Sequence, residues 1–215
     1  MLHKDPFIID PQTFLLVQQL QSIPELTNFQ LVGGTALALQ MGHRNSIDID
    51  LFVYEEFNTV DLIETLRHFF SVEIVFQKEK NTLLTNLNGI KTDFIRHSYH
   101  LINQPVFEEN IRFLSKEDIA AMKINAIVNS GKRLKDFIDI YFLLEYFTMN
   151  QIISFYRQKY PIMSPMVGMK AVSFFDEIDP DMDPPKMKKM LKLERIKKRI
   201  LDAVLHPYKK FPLTP

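Results

Sequence analysis

The sequence predicts an α+β protein, with a mixed sheet and flanking helices over about residues 1–105 and a helical half over 106–215. Three observations point there. Short apolar runs with two-residue alternation, bounded by glycine, asparagine or proline, recur between Phe29 and Ile95. From Ser115 onward the apolar spacing turns helical. Hydrophobic residues make up 46% of the 215 and charged residues 24%, which supplies a globular core.

The elements follow in order. Pro11 opens a helix that Phe14, Leu15, Val17, Leu20 and Ile23 continue at helical spacing. Residues 29–32 read as a short strand, 35–41 as a short helix and 47–53 as an alternating strand. Thr59 or Asp61 caps a helix carrying Leu62, Ile63, Leu66 and Phe69. Three strands follow at 71–76, 82–87 and 90–95, with Asn88-Gly89 as a hairpin turn. The tetrapeptide SKED opens a helix by a variant capping box, with Ser115 as cap and Asp118 three residues on. Further helices cover about 134–147 and 150–160. A crease between the two halves is the natural place for a ligand.

Bulk properties exclude several classes. Lys plus Arg equals Asp plus Glu at 26 each, so attraction to nucleic acid must come from a local patch. The absence of cysteine excludes disulfides and thiolate zinc sites and suits a reducing compartment. The N-terminal MLHKDPFIIDP carries acids and prolines where a signal peptide has an apolar core. No run approaches the roughly 20 apolar residues of a membrane span. The expectation is a cytoplasmic protein with no membrane partner.

The stretch LVGGTALALQMGHRNSIDIDLF (31–52) carries the chemistry. Gly33-Gly34 between strand and helix either makes a tight turn or leaves N–H groups facing outward as a phosphate seat, with Thr35 adding a hydroxyl or a cap. On a strand, Asp48 and Asp50 share one side while Ile47, Ile49 and Leu51 take the other. Paired carboxylates suit Mg²⁺, which completes its octahedron with water and phosphate oxygens; acids on a solvent-facing edge strand are the plainer alternative. Asp93, inside the strand-like GIKTDFIRH, supplies a third acid with little polar company. Three carboxylates beside a glycine turn form a metal-dependent nucleotidyl-transfer constellation, in which two ions clamp the α-phosphate. The third acid serves a metal or takes the proton of the attacking hydroxyl.

The run GGTALALQMGHRNSIDIDLF resembles the first motif of the DNA polymerase β-like nucleotidyltransferases and, more closely, the AbiEii/AbiGii toxin family of bacterial abortive-infection and toxin–antitoxin systems. The family's glycine-rich turn falls on Gly33, Gly34 and Thr35, and its Arg-x-Ser-x-Asp-x-Asp run on Arg44, Ser46, Asp48 and Asp50. The resemblance continues in DIAAMKINAIVNSGKRLKDFIDIYFLLEYF (118–147). There Lys123 sits amid Ile119, Ala120, Ala126 and Ile127 on one helical face, so it meets an anion or snorkels to the surface. Asp136 and Asp139 are neighbours on the next helix and need partners if buried. The resemblance implies that Lys123 and an aspartate of KDFID, either Asp136 or Asp139, belong to the active site. The family often has arginine in an Asn-Arg-Gly stretch; this chain has Asn129-Ser130-Gly131, with Arg133 placed to compensate.

The function implied is transfer of NMP from an NTP to a hydroxyl acceptor, with Mg²⁺ at a two-ion site. RNA or tRNA is the expected acceptor, the role is in toxicity or phage defence, and a cognate antitoxin is a possible partner. In this reading Asp48, Asp50 and Asp93 hold metal, Gly33, Gly34, Thr35 and Ser46 embrace the triphosphate, and Arg44 and Lys123 counter its charge. Alternatives are transfer to a small molecule such as an antibiotic, and a non-catalytic nucleotide-binding relative. The tail segment 186–199 holds eight Lys or Arg and one acid, Glu194. It reads as a basic amphipathic helix for an RNA backbone or as a solvated face, and the acidic loop 176–185 would offset it.

Overall fold

A computed structural model describes residues 1–213. The chain divides into two compact units: residues 1–100 with 104–114, and residues 101–103 with 115–215. The segment 106–114, which the sequence leaves with the helical half, joins the first unit.

The first unit is built on one sheet. Helix α1 (Pro11–Ser22) starts at Asp10, whose carboxylate accepts from Gln12 N at 2.8 Å. Strand β1 (Gln30–Leu31) leads into α2 (Gly33–Met41), then β2 (Ile49–Val53) and α3 (Thr59–Arg67). Strands β3 (Val72–Gln77), β4 (Thr82–Leu87), β5 (Ile90–Arg96), β6 (Val106–Glu108) and β7 (Ile111–Phe113) complete it. The strand order is β3-β4-β5-β2-β1-β7-β6. Parallel β2–β5 and β1–β7 pairs lie among antiparallel ones, so the sheet is mixed as predicted. Asn88 and Gly89 both have positive φ, 50° and 81°, as the expected hairpin turn requires.

Several expectations shift. The 47–53 strand begins at Ile49, and Ile47 is exposed instead of sharing the buried side with Ile49 and Leu51. The cap of α3 is Asn58, whose side chain accepts from Val60 N; the Thr59 hydroxyl instead reaches the carbonyls of Lys78 and Glu79. The β6–β7 hairpin goes unread in the sequence, because strands of three residues are too short for alternation to register.

The second unit is helical: α4 (Lys116–Asn129), α5 (Leu134–Leu143), α6 (Met149–Lys159), α7 (Pro165–Val172) and α8 (Leu193–Leu205). Helix α4 packs against α5, α6 and α7, and α5 against α8. Ser115 caps α4 by accepting from Asp118 N at 3.0 Å, as expected. The Asp118 carboxylate has another use. It is buried and takes Lys159 Nζ at 2.7 Å, Ile102 N at 3.0 Å and the Ser115 hydroxyl at 2.7 Å.

Helix α8 starts at Leu193, so only the latter half of the basic segment is helical; it turns Ile196, Ile200 and Ala203 inward. Arg199 is not a free basic group there: its guanidinium lies 3.7 Å over the Tyr141 ring and 2.7 Å from Glu145, holding α8 to α5. The acidic loop sends Asp183 to Arg133 and Lys135 in place of the basic segment. Among the described residues no helix is long and apolar enough to cross a membrane.

Candidate active site

Local sequence sets the geometry of the first unit's acids. Ile49, Leu51 and Val53 are buried, which turns Asp50 and Phe52 to the opposite side of β2. Asp50 pairs in register with Asp93 on the parallel neighbour β5, so the two carboxylates stand on adjacent strands. Asp48 lies just before β2, where its carbonyl accepts from the buried Thr35 hydroxyl and its side chain is partly exposed.

The glycine turn exists to admit these groups. Gly33 has φ +68°, and a Cβ there would lie 2.4 Å from Asp50 Oδ2. A Cβ on Gly34 would lie 2.4 Å from the Arg44 guanidinium and 3.2 Å from Ser46 Oγ. Only glycine lets a carboxylate and a guanidinium approach the start of α2 this closely. The Thr35 and Ser46 hydroxyls are 2.8 Å apart and both residues are buried, with Arg44 only 2% exposed. These predicted phosphate ligands therefore brace the turn against the 44–48 segment.

Lys91 is the residue that sequence reading passed over. It precedes Asp93 by two positions and so shares its side of β5. Its ammonium lies 3.6 Å from Asp93 Oδ2 and 3.9 Å from Asp48 Oδ2. Desolvation works against its charge, but the attraction of Asp48, Asp93 and Asp50 outweighs that and raises its pKa. Asp93 is also raised: desolvation dominates, repulsion from Asp48 adds, and Lys91 offsets only part. The two shifts have opposite meanings, since Lys91 gains as an ion while Asp93 is made more basic.

In the second unit, Lys123 Nζ lies 2.7 Å from Asp136 Oδ1 and 2.8 Å from Asp139 Oδ2. All three residues are buried, so Lys123 meets anions and does not snorkel. Both candidate aspartates engage it. Asp139 is fully buried and Asp136 is 4% exposed. Arg133 is occupied by Asp183 at 3.1 Å.

The acids of the first unit have the chemistry for a divalent ion: oxygen donors on adjacent strands, one of them orphaned. Asp93 Oδ1 is buried with no hydrogen-bond partner. As they stand, no group of three or more such side chains among the described residues is arranged to hold a metal, and Lys91 takes the position near Asp48 and Asp93.

Residues 15–192 match the family described as "Nucleotidyl transferase AbiEii toxin, Type IV TA system". The chain belongs to this family. It is a nucleotidyltransferase, as that membership entails. The uncharacterized protein aq_aa25 of Aquifex aeolicus (strain VF5) is 30% identical over 180 residues, 78% of this chain and 85% of that protein. The fold is similar to that of JHP933 from Helicobacter pylori, with a TM-score of 0.57 at 15% identity over 93% of both chains. A second H. pylori structure, solved as a candidate nucleotidyltransferase, gives 0.55 at 15% identity over 92% of this chain and 95% of that one. This AbiEii-family chain thus has the mixed sheet and helical half expected of it.

Proposed function

We propose that this AbiEii-family protein transfers NMP from an NTP to a hydroxyl of RNA, with tRNA as the favoured acceptor, in a Mg²⁺-dependent reaction at Asp48, Asp50 and Asp93. The observation that carries the reading is the convergence of Asp48 and Asp93 on one ammonium, with Asp50 in register beside Asp93 and against Gly33. Asp48 and Asp50 would hold Mg²⁺, at the two-ion site that the family resemblance implies. Bound there, Mg²⁺ supplies charge neutralisation of the triphosphate and its leaving pyrophosphate.

Asp93 would act as a third ligand or accept the proton of the attacking hydroxyl. A carboxyl made more basic by burial suits the second role. Gly33, Gly34, Thr35 and Ser46 shape the turn, and Arg44 holds positive charge against Gly34. Lys123, held by Asp136 and Asp139, would be the cation that counters the charge of the nucleotide, the role the family resemblance implies for it. Little covalent chemistry is asked of these side chains, since orientation and charge complementarity account for most of such catalysis. We place the protein in the cytoplasm, in a toxin or phage-defence role, with a cognate antitoxin as partner.

The test is incubation with each α-labelled NTP, Mg²⁺ and total RNA, for wild type and Asp48→Asn. Label appears on RNA with wild type and falls at least about 10²-fold with the variant or with chelator. Label on a small molecule but never on RNA would transfer the reading to antibiotic-type chemistry. Nucleotide binding without transfer to any acceptor would make the protein a non-catalytic relative.

A further inference from the structure

Strand β5 carries its own cation at the carboxylate site. The Lys91 side chain is 54% exposed, and its ammonium stands 3.6 Å from Asp93 and 3.9 Å from Asp48. These separations exceed those of a tight charge-assisted hydrogen bond, so the ammonium is held by the summed field of the acids and not by one close partner. Its flexible four-carbon stem lets it leave without movement of the strand. The oxygens it faces are those that a divalent ion would use. Two cations cannot occupy that space without strong mutual repulsion.

We propose that Lys91 is the resident counter-ion of this carboxylate site and competes directly with the divalent cation for Asp48 and Asp93. The inference rests on the reading of these acids as cation ligands. Without a divalent ion, Lys91 offsets the repulsion between Asp48 and Asp93 and keeps them close. When the ion enters, the ammonium withdraws to solvent. The family resemblance assigns no role to this position, and the only sequence sign of it is the two-residue spacing from Asp93.

Mn²⁺ is the probe. Binding to the metal-free full-length protein, without nucleotide, is measured from the paramagnetic resonance signal of free Mn²⁺. Wild type is compared with Lys91→Met, Lys91→Gln, Lys91→Arg and Asp48→Asn. The two neutral variants bind Mn²⁺ about tenfold more tightly than wild type, while Lys91→Arg stays within about twofold and Asp48→Asn binds more weakly. Using two neutral variants guards against one of them failing to fold, which thermal melting in chelator reports. If Asp48→Asn weakens binding but neither neutral variant tightens it, the competition is overturned and the ligand assignment stands. Equal tightening by Lys91→Arg would make the effect steric and also overturn it. If Asp48→Asn binds Mn²⁺ as wild type does, the ligand assignment itself falls, and the competition with it.

Discussion

Asp93 shows how much the site asks of one side chain. It is buried, one of its oxygens has no partner, and the Lys91 ammonium only partly offsets its desolvation. Its folded pKa therefore lies above the unfolded value. Such a group contributes stability that is fully present below the ordinary aspartate range and is lost as pH rises through the folded pKa. In neutral buffer the metal-free fold carries an anion that the free chain would solvate better. Asp93→Asn should thus melt above wild type in chelator at neutral pH, by about 2–4 °C for each kcal/mol relieved. That advantage should shrink in acid, where the wild-type carboxyl protonates by itself. The same variant should lose transfer activity. Melting curves across pH decide the matter: a variant that melts lower than wild type at neutral pH would mean that Lys91 stabilises the ionised Asp93 more than burial penalises it.

At the scale of elements, the buried pair of Asp118 and Lys159 ties the start of α4 to the end of α6 and to the backbone at Ile102 and Asn103. Lys159→Met would leave a fully buried carboxylate without its cation, a loss of about 3–5 kcal/mol, whereas adding Asp118→Asn should restore much of it. Urea denaturation measures both; a loss below about 1 kcal/mol from Lys159→Met would show that the pair behaves like a surface one. Neither partner announces this role in sequence. SKED reads as a capping box, and Lys159 sits in a plain helix end, because a contact 41 positions apart leaves no local pattern. The strands near the site were legible for the opposite reason. Alternation in 82–87 and 90–95 and the Asn-Gly turn are local signals, and both strands form where expected. The three acids were legible as residue types, and the registration of Asp50 on β2 with Asp93 on β5 follows once those strands pair in parallel. Lys91 was not, since a strand lysine most simply reads as a solvated side chain. Its placement between Asp48 and Asp93 depends on that same pairing. The tail helix starts later than expected because residues 186–192 share the basic composition of α8 but not its buried apolar period of Ile196, Ile200 and Ala203.

For the whole molecule the formal charge is zero, so no long-range field supplies affinity for a polyanion. If RNA is the acceptor, its binding must come from local cations, and the structure separates those that are committed from those that are not. Arg199 is engaged by Tyr141 and Glu145, and Arg133 and Lys135 by Asp183. Arg195 and Lys198 are exposed on α8 and line a shallow recess with Tyr141 and Phe211. Cations that meet phosphates give binding that weakens linearly in log salt, with a slope of about 0.7 per contact for single strands. The paired charge reversal Arg195→Glu with Lys198→Glu should therefore weaken RNA binding and flatten the salt slope by about 1.4, while leaving Mn²⁺ binding unchanged. Both residues are exposed, so the fold should tolerate the change, and circular dichroism would verify that. Fluorescence anisotropy with labelled tRNA across a salt series reads the affinity and the slope together. Affinity and slope that both match wild type would remove α8 from the RNA interface and return its charge run to a solvated helix face. A loss of affinity with the slope intact would instead mean that the substitutions act through lost non-ionic contacts, because both phosphate contacts and repulsion of the RNA by glutamate depend on salt.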